Sequence, residues 1–457
     1  MKKVAIVLAA GIGKRMYSKT PKVLHRICGR EMVFYAIDAV KNISDKVVVV
    51  ISRNIPENIF GSLEVAIQEF PLGTGDAAKA GLSKIEGFPP DAIVIVLTGD
   101  NPLIREEEIK LLLEFHLRNK NGVTVLSANA FEPSGLGRVI RKGKRFIKII
   151  EERDATPQEK LISEINTGIY IFEKDLLEEG LLKISNKNAQ GEYYLTDIFE
   201  TLKEKTKIGV MVLPRRLPIY GVNNRKELAI AGQLIQSEII ENLMLNGVTI
   251  INPQSVIIDH GVEINNDTTV FPETIIQGKT KIESGSEIGP FARIVDSIIG
   301  SNVKVQFSVI INSVIGVNCS VGPFAYIRSG NVLDKSVKIG TFVEVKNSKF
   351  KENAKVSHLS YIGDADVGKN VNIGAGTITC NFSGLEGNKK NPTYIEDDVF
   401  IGSNTTLVAP VTVKKRAYTA AGSVITENVP EDSLAIGRAK QVNKTEWVKR
   451  RKSSNDK

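Results

Sequence analysis

The sequence predicts a chain of two parts: an α/β domain built on a doubly wound, mainly parallel sheet, and an all-β coil of short parallel strands. In the first part, up to about residue 220, near-continuous apolar runs alternate with amphipathic helical stretches, which is typical of βαβ units. In the second part aliphatic residues recur every six positions, which is typical of a solenoid. A helical pattern over residues 225–246 lies between them.

The predicted strands of the first part are apolar runs of the kind that a sheet buries on both faces. They read "VAIVLA", "KVVVVI" and "AIVIVLTGD". The stretches "EMVFYAIDAVKNI" and "REEEIKLLLEFHLRN" have helical spacing of their apolar residues and predict helices between strands. Ligands of such sheets bind beyond the carboxyl ends of the strands. The loop after the first strand and "TGDNP" after the last are therefore candidate site segments.

The loop after the first strand has the composition of a phosphate-binding loop. It reads "LAAGIGKRMYSKTPKVLH", with Gly11 and Gly13 followed by Lys14, Arg15 and Lys22. Glycines let backbone N–H groups approach an anion closely, and cationic side chains supply charge. A solvated surface loop has the same composition, so this segment alone leaves both interpretations open.

The stretch "RKELAIAGQLIQSEIIENLMLN" over residues 225–246 predicts one long helix. Its apolar residues have helical spacing, and Asn246 with Gly247 forms a good stop signal. We expect this helix to join a first domain, 1–224, to a second, 247–440.

The coil is predicted from a ladder of aliphatic residues six positions apart, with a small residue often following each. Seven such residues in a row are too many for chance, and three hexads make one triangular turn, so roughly ten turns are expected. Short slips interrupt the ladder. Its members are Ile258, Ile264, Val270, Ile276, Ile282, Ile288 and Ile294, then Ile315, Val321, Ile327, Leu333, Ile339 and Val345, and then Ile395, Ile401, Leu407 and Val413.

Composition narrows the class of protein. No apolar run reaches the roughly 18 residues that span a bilayer, and no secretory segment is recognisable, so no membrane association is expected. The net charge of +8 suits anionic small substrates or nucleic acid. Helix-turn-helix, zinc-finger and ribonucleoprotein motifs are missing, so nucleic acid is not an expected partner.

The three cysteines and the C-terminal tail complete this outline. Cys28, Cys319 and Cys380 lie far apart without metal-binding spacing, which indicates reduced thiols in a cytoplasmic protein. The tail, residues 441–457, ends in "KRRKSSNDK" and is expected to be basic, solvated and disordered.

Both halves resemble the bifunctional bacterial N-acetylglucosamine-1-phosphate uridylyltransferase/glucosamine-1-phosphate N-acetyltransferase family. The first half has "LAAGIGKRMYSKTPKVLH", "PLGTGDA", "EINTGIY", "GEYYLTD" and "GVNNR", and the second has "GPFAYIRSG", "FVEVKNS", "SHLSYIGDADVG" and "NVNIGAGTITCN". The resemblance implies a Rossmann-like nucleotidyltransferase domain, a left-handed parallel β-helix of hexapeptide repeats and a homotrimer. It also implies acetylation of glucosamine-1-phosphate by acetyl-CoA and uridylyl transfer from UTP, giving UDP-N-acetylglucosamine for peptidoglycan and lipopolysaccharide.

The resemblance assigns residues to the uridylyl-transfer site. It makes Asp100 and Asn223 the protein ligands of Mg²⁺, whose shell substrate phosphates complete. Arg15 and Lys22 are expected on the phosphates. The resemblance matches three residues to the acetylglucosamine: Gly137, Glu151 and Asn166. Taken alone, each of them resembles an ordinary turn or surface residue. The full substrate set is Leu8, Ala9, Ala10, Gly11, Arg15, Lys22, Gln68, Gly73, Thr74, Thr98, Gly99, Asp100, Gly137, Glu151, Asn166 and Asn223, with Gln68, Gly73 and Thr74 on the uracil.

The acetyl-transfer site is expected around His358. An amine that attacks a thioester must lose a proton, and histidine is the natural base near neutral pH. His358 alone resembles a surface histidine, but it lies in "SHLSY" where the ladder slips, and the resemblance makes it the catalytic base. The resemblance also implies Arg328, Lys346, Tyr361 and Asn372 as glucosamine-1-phosphate contacts and Ala375, Asn381, Phe382, Ser403, Ala421 and Arg438 as acetyl-CoA contacts.

The chain departs from the family pattern at a few positions. Lys14 replaces the usual Thr, "TGD" replaces the commoner "YGD", and "NFSGLEGNKKNPT" replaces the usual Asn-Tyr-Asp-Gly after Cys380, so Phe382 keeps a ring but loses a hydroxyl. The acetyl-CoA contacts of this longer loop are the assignments that the departure affects most.

Two other functions compete with the bifunctional enzyme. One is a nucleotidylyltransferase of a single activity whose coil serves only assembly; "SHLSY" and the Arg328–Lys346 pair argue against it. The other is a non-catalytic regulatory scaffold, in which a damaged phosphate loop would be expected. The residues of an intact loop are all present: Gly11, Gly13, Arg15 and Lys22.

Overall fold

The computed structural model describes residues 1–143, 145–384, 387 and 389–455. It divides into two compact units, Met1–Gln236 and Ser237–Lys457, and each is described by itself. The division falls inside the helix that the sequence predicts between the two domains.

The first unit is built on a mixed sheet with the strand order β9-β5-β8-β4-β1-β2-β3, and β6 and β7 extend it beside β8. Its pairs are parallel except those of β8 with β4 and β5 and those of β6. The three predicted apolar runs are β1, β2 and β4. The strands are β1 Lys3–Leu8, β2 Lys46–Ser52, β3 Glu64–Gln68, β4 Ile93–Thr98, β5 Val123–Asn129, β6 Arg138–Lys142, β7 Arg145–Ile150, β8 Glu164–Glu173 and β9 Ile208–Val212.

Helices cover the sheet where the amphipathic stretches predict them. Their apolar faces are buried, as in Val33, Ile37 and Val40 of α1 and Leu112 of α3. A short hairpin, Arg26–Ile27 with Arg30–Glu31, precedes α1. The helices are α1 Val33–Lys41, α2 Thr74–Leu82, α3 Glu106–Arg118, α4 Pro157–Lys160, α5 Lys174–Lys183, α6 Ile198–Leu202 and α7 Arg225–Leu245.

Helix α7 begins at Arg225, as the predicted helix does, and ends at Leu245, one residue before the predicted end. A reciprocal cap fixes its start: Glu227 donates its backbone N–H to Asn224 Oδ1 (2.9 Å), and the Glu227 carboxylate accepts the backbone N–H of Asn223 (2.6 Å). Such caps satisfy N–H groups that the first turn leaves unpaired. The cap therefore fixes Asn223 just ahead of the helix.

The second unit is a coil whose short strands stack into three parallel sheets, as in a left-handed parallel β-helix. Each complete coil contributes one strand to each sheet, and the last coils lack strands in the second or third sheet. Over the described residues the first sheet stacks eleven strands, close to the ten turns expected. They are Thr249–Ile250, Thr269–Val270, Glu287–Ile288, Lys304–Val305, Ser320–Val321, Lys338–Thr341, Lys355–His358, Asn372–Ile373, Phe400–Ile401, Tyr418–Thr419 and Leu434–Ala435.

The other two sheets repeat this arrangement. The second consists of Ile257–Ile258, Ile275–Gln277, Arg293–Val295, Val309–Ile311, Tyr326–Ile327, Glu344–Lys346, Tyr361–Gly363, Ile378–Cys380, Thr406–Val408 and Val424–Ile425. The third consists of Glu263–Ile264, Lys281–Ile282, Ile298–Ile299, Val314–Ile315, Val332–Leu333, Lys349–Phe350, Ala365–Val367, Thr393–Ile395 and Val411–Val413.

Every member of the predicted ladder is buried in one continuous core, which confirms the ladder. Each fully buried aliphatic side chain stabilises the fold by about 1.5–3 kcal/mol. The first slips are steps of five residues: Ile299 and Ile310 continue the ladder after Ile294, and Phe350 continues it after Val345. The gap between Ile373 and Ile395 contains the altered loop after Cys380. Val356 and Ile362 are core residues six positions apart on either side of His358, so the expectation that the ladder is interrupted there was wrong; five-residue steps before and after this pair only change the phase of the ladder.

The three corners of the coil differ in chemistry. Two are rich in Asn and Asp with positive φ, such as Asn318 and Asn347, and these residues tolerate the left-handed conformation. The third, after the first sheet, has bulky side chains at positive φ, which is unusual. We call it the apolar corner; its members are Phe291, Phe307, Phe324, Phe342 and Leu359.

The C-terminal tail differs from its expectation of disorder. Residues Trp447–Asn455 form a helix, α8, because Lys and Arg are good helix formers even without a buried face. Residues 456–457 lie outside the described residues. In the described part of the chain, no helix combines the length and apolarity that crossing a membrane requires.

Candidate functional sites

The first unit has a cavity of about 770 Å³ at the carboxyl ends of β1 and β4. Most of the residues predicted for uridylyl transfer line it. They are Leu8, Ala10, Gly11, Arg15, Lys22, Gln68, Gly73, Thr74, Thr98, Asp100, Glu151 and Asn223. Cavities of this size accommodate small-molecule ligands. Segments distant in sequence thus meet around one ligand-sized space.

The phosphate loop is folded so that Lys22 points to the cavity. Gly13 has φ +67°, and a Cβ added to it would lie 2.5 Å from Lys22 Cβ, so only glycine fits. Lys22 begins a 3₁₀ turn, Lys22–Leu24, whereas Arg15 lies in the turn Lys14–Met16 and is exposed. Lys14, the departure from the family pattern, also lines the cavity and adds positive charge there.

Lys22, Asp100 and Asn223 form a polar cluster in the cavity. The Lys22 ammonium pairs with Asp100 Oδ2 and lies 3.4 Å from Asn223 Oδ1. Burial disfavours the charged form of Asp100, but the Lys22 charge and hydrogen bonds from Lys22 and Thr98 outweigh it and lower the pKa of Asp100 below its usual value. Asp100 is therefore an anion at neutral pH.

The donor set of this cluster fits a hard divalent cation. Asp100 offers a carboxylate and Asn223 an amide oxygen, and a cationic ammonium already lies between them. Within the described ranges no group of three or more His, Cys, Asp or Glu residues forms a complete metal site. Mg²⁺ commonly uses one or two protein ligands and completes its shell with water and substrate phosphates, so two oxygens suffice.

The predicted uracil segment is held by the loop before α6. Gly73 has φ +111°, and a Cβ there would lie 2.6 Å from the Tyr193 carbonyl oxygen. Thr74 Oγ1 accepts the Leu195 N–H (3.0 Å), and Gln68 Nε2 donates to the Gly73 carbonyl (3.0 Å). The motifs "PLGTGDA" and "GEYYLTD" thus form one wall of the cavity.

The residues predicted on the acetylglucosamine lie together. The Asn166 N–H donates to the Gly137 carbonyl (2.9 Å), and a Cβ on Gly137 would lie 3.3 Å from the Glu151 carboxylate. Burial raises the pKa of Glu151, and a hydrogen bond from Thr196 opposes this rise. Of the three, Glu151 lines the cavity directly.

Four of the predicted residues do not line the cavity: Ala9, Gly99, Gly137 and Asn166. Gly99 donates its N–H to the Leu8 carbonyl (2.8 Å), so this pair of residues fixes the loop backbone. Among the wall residues that the sequence analysis missed, Arg153 brings another cation and Glu152 another carboxylate. The only sequence signal for them was their proximity to Glu151.

In the second unit, His358 ends a strand of the first sheet and is exposed. The Gly376 N–H donates to the His358 carbonyl (3.3 Å), so Ala375 lies one coil beyond His358. Asn404 and Gly422 donate in the same way to Ala375 and Ser403. His358, Ala375, Ser403 and, in the same pattern, Ala421 therefore follow one edge of the coil.

The apolar corner ends beside His358. In the coils up to His358, the corner residue that follows the first-sheet strand is a member of the apolar corner, from Phe291 to Leu359. In the next coils the same corner position is occupied by Gly376, Asn404 and Gly422. Large side chains are thus replaced by small ones where the predicted acetyl-CoA contacts begin. We call the edge from His358 to Ala421, where these smaller residues lie, the open strip.

The predicted sugar-phosphate residues lie on the second sheet. Ile327 pairs with Val345, so Arg328 and Lys346 lie one coil apart. Arg328 donates to Glu344 Oε1 (2.8 Å). Tyr361 Oη lies 3.4 Å from Asn381 Nδ2, which also donates to Asp364 Oδ2 (2.5 Å). Arg328, Lys346 and Tyr361 thus form a polar surface along consecutive coils.

The remaining acetyl-site residues are dispersed. Asn372 lies in the first sheet beside Lys355, and Arg438 is exposed near the last coil. Phe382 is exposed, and the Lys390 ammonium lies 3.6 Å from its ring centroid. The altered loop after Cys380 lies partly outside the described residues, which omit 385, 386 and 388.

The other histidines have different surroundings. His116 is buried, its Nδ1 lies 2.9 Å from Thr124 Oγ1, and burial lowers its pKa to about 4. His25 is also buried, and burial together with the Arg225 charge lowers its pKa. Both are neutral at pH 7 and support the packing of the first unit.

Comparison with known proteins identifies both halves. The family model of the MobA-like NTP transferase domain matches residues 5–156, and that of the GMPPB C-terminal domain matches residues 252–350. The curated "Bifunctional protein GlmU" of Thermosipho melanesiensis is 48% identical over 461 residues, covering 99% of each chain.

Further relatives have the same name. "Bifunctional protein GlmU" of Caldanaerobacter subterraneus subsp. tengcongensis is 46% identical over 454 residues, covering 98% of each chain. That of Clostridioides difficile is 45% identical over 458 residues, covering 99% of this chain and 98% of its own.

Proposed function

This chain belongs to the family of bifunctional GlmU proteins, and we propose that it accordingly catalyses two reactions in sequence. It acetylates glucosamine-1-phosphate with acetyl-CoA, and it then transfers uridylyl from UTP to the product, which releases pyrophosphate. The observation that carries the proposal is the meeting of Lys22, Asp100 and Asn223 in a ligand-sized cavity of the nucleotidyltransferase unit. We place the enzyme in the cytoplasm, which suits its widely separated cysteines.

Uridylyl transfer brings several negative charges together. An oxygen of the sugar phosphate attacks the α-phosphorus of UTP, and the bond to the β-phosphate oxygen breaks. Lys22 and Arg15 neutralise the phosphates, and the backbone from Leu8 to Gly11 lies against them. Gln68, Gly73 and Thr74 hold the uracil, and Glu151 with Asn166 and Gly137 forms the acetylglucosamine end. Positioning and electrostatic stabilisation account for most catalysis of this kind.

We propose that Asp100 and Asn223 hold Mg²⁺ while the nucleotide is bound. The ion would supply Lewis-acid stabilisation of the phosphate charge that develops during transfer. Asp100 contributes the negative charge, and the α7 cap fixes the direction of the Asn223 amide.

Loss of the Lys22 charge should slow uridylyl transfer. Lys22→Ala removes a preorganised cation and is expected to weaken transition-state stabilisation by about 2–4 kcal/mol, measured as kcat/KM for pyrophosphate release. Lys19→Ala is the matched control, because Lys19 is an exposed lysine of the same loop outside the cavity wall. If Lys22→Ala changed the transition-state stabilisation by less than about 0.5 kcal/mol, Lys22 would be an ordinary surface lysine without a role in the reaction.

Acetyl transfer is proposed to take place on the open strip of the coil. The substrate nitrogen attacks the thioester carbonyl, His358 accepts the proton of the amine, and the carbon–sulfur bond breaks to release CoA. Arg328 and Lys346 bind the sugar phosphate, with Tyr361 and Asn372 on the sugar. Acetyl-CoA lies along Ala375, Ser403 and Ala421, with Asn381, Phe382 and Arg438 beside it.

We propose a homotrimer that is assembled through the coil. The apolar corner supports it, because its four phenylalanines are exposed: Phe291, Phe307, Phe324 and Phe342. The centroids of successive rings lie 5.4–5.5 Å apart, so the rings form a column. Their backbone has positive φ, a conformation that bulky residues disfavour. A column of this kind is costly unless other copies of the chain cover it. Since it ends at His358, neighbouring subunits would complete the acetyl site.

Disrupting the apolar corner should separate the two activities. Phe307→Asp puts a charge in the proposed interface at a backbone position that Asp tolerates. We expect sedimentation velocity to show monomers, acetyl transfer to fall and uridylyl transfer to persist. Asn318→Asp, which adds the same charge at another corner, is the control. Full acetyltransferase activity of a monomeric variant would contradict a shared site.

One reaction mixture tests the bifunctional proposal against its alternatives. The purified chain is mixed with glucosamine-1-phosphate, acetyl-CoA, UTP and Mg²⁺, and free thiol and pyrophosphate are measured separately. Release of both supports the proposal. Pyrophosphate release only when N-acetylglucosamine-1-phosphate is supplied indicates a single-activity nucleotidylyltransferase, and release of neither product indicates a scaffold.

A further inference from the structure

We propose that Lys22 is the resident cation of the Asp100–Asn223 pair in the substrate-free protein, so that divalent metal and nucleotide depend on each other for binding. The inference deepens the proposed uridylyl-transfer function and rests on it. In this arrangement Lys22 has two alternative partners: the metal ligands before the nucleotide binds and the nucleotide phosphates afterwards.

The geometry places one ammonium on both oxygens that we assign to the metal. Lys22 pairs with Asp100 Oδ2 and lies 3.4 Å from Asn223 Oδ1. The pair is shielded from water, with 12% of the Lys22 side chain and 18% of the Asp100 side chain exposed. A cation bound by both oxygens would therefore occupy the place of the ammonium or lie in direct contact with it.

The backbone fixes each end of this cluster. A Cβ on Gly13 would lie 2.5 Å from Lys22 Cβ, so the loop packs closely against the start of the Lys22 side chain. Asp100 accepts the Val222 N–H at its backbone carbonyl (2.9 Å), which ties the "TGDNP" and "GVNNR" segments together. The Glu227 carboxylate holds Asn223. The flexible Lys22 methylene chain is thus the part of the cluster that can move.

Electrostatics then couples the two ligands. While Lys22 pairs with Asp100, the cluster has no net charge, and like-charge repulsion opposes a divalent cation in a poorly hydrated site. Nucleotide phosphates offer the ammonium a new anionic partner. When Lys22 moves to them, the Asp100 carboxylate becomes available to the metal. Because binding free energies are reciprocal, a metal on Asp100 also favours Lys22 on the phosphate.

Metal binding to the free protein tests this coupling without turnover. Mn²⁺ is titrated into the protein without nucleotide, and electron paramagnetic resonance measures the unbound ion. Lys22→Met keeps the side-chain length and removes the charge, and we expect it to bind Mn²⁺ roughly 5–150-fold more tightly than the wild type, the usual range of coupling between two sites. Lys22→Arg, which keeps the charge, should bind as weakly as the wild type. Adding Asp100→Asn to Lys22→Met should remove most of the gain.

Two outcomes overturn the inference. Equal Mn²⁺ affinity of Lys22→Met, Lys22→Gln and the wild type would show that the ammonium does not compete with the metal. Tight Mn²⁺ binding by the wild type without nucleotide would show the same. Thermal melting of each variant verifies folding. Pyrophosphate release by the wild type is measured in parallel, so failure of the coupling with normal turnover differs from failure of the uridylyl-transfer function.

Discussion

Asp100→Ala abolishes pyrophosphate release and leaves CoA release near normal: this is the largest effect that we expect in the first unit. Asp100 supplies the carboxylate of the proposed metal site, and the Lys22 charge and hydrogen bonds lower its pKa below the usual value, so it is an anion near neutral pH. Removing it takes away the hard anionic ligand and leaves the Lys22 ammonium without its buried partner. Both effects disturb the phosphate charges in the transition state.

The measurement follows thiol and pyrophosphate separately in one preparation. Asp38→Ala is a matched control, because Asp38 is a carboxylate paired with cations, Arg30 and Lys41, on α1 and outside the cavity wall. Thermal melting shows whether either variant is unfolded. Loss of both activities in a folded Asp100→Ala protein would contradict two independent sites.

His358→Ala lowers the kcat of acetyl transfer by about 10²–10⁴-fold and leaves uridylyl transfer unchanged. The substrate amine must lose a proton as it attacks the thioester, and general-base assistance is typically worth this factor. His358 is exposed at the end of its strand, on the open strip where we propose that the amine binds. The acidic limb of the wild-type rate–pH profile should disappear in the variant if that limb reports His358.

His260→Ala is the matched control for this experiment, since His260 is another exposed histidine of the coil, several coils before the proposed site. Added imidazole should restore part of the activity to His358→Ala and none to the control, because a free base can replace the missing ring. Unchanged kcat in a trimeric His358→Ala would assign the proton to another group or to an amine that enters already neutral.

The sequence alone determined which segments form the strands, the long helix and the repeating coil. A hydrophobic period of six, a period of 3.6 over residues 225–246 and unbroken apolar runs are local signals, because each reports which side chains one element turns inward. The predicted strands, the linker helix and every member of the aliphatic ladder agree with the structure. The sequence did not predict the five-residue steps near Ile299 and Phe350, because a strict six-residue period does not allow a step of another length.

Only the tertiary structure decided which distant side chains meet. Lys22, Asp100 and Asn223 are far apart in sequence, and no local pattern shows that one ammonium contacts both oxygens. The same holds for the apolar corner, whose phenylalanines recur once per coil and turn outward because each occupies a left-handed corner position. Long-range pairing and corner conformation depend on the packing of the whole coil or sheet. The sequence therefore identified the residues, and the fold decided their neighbours.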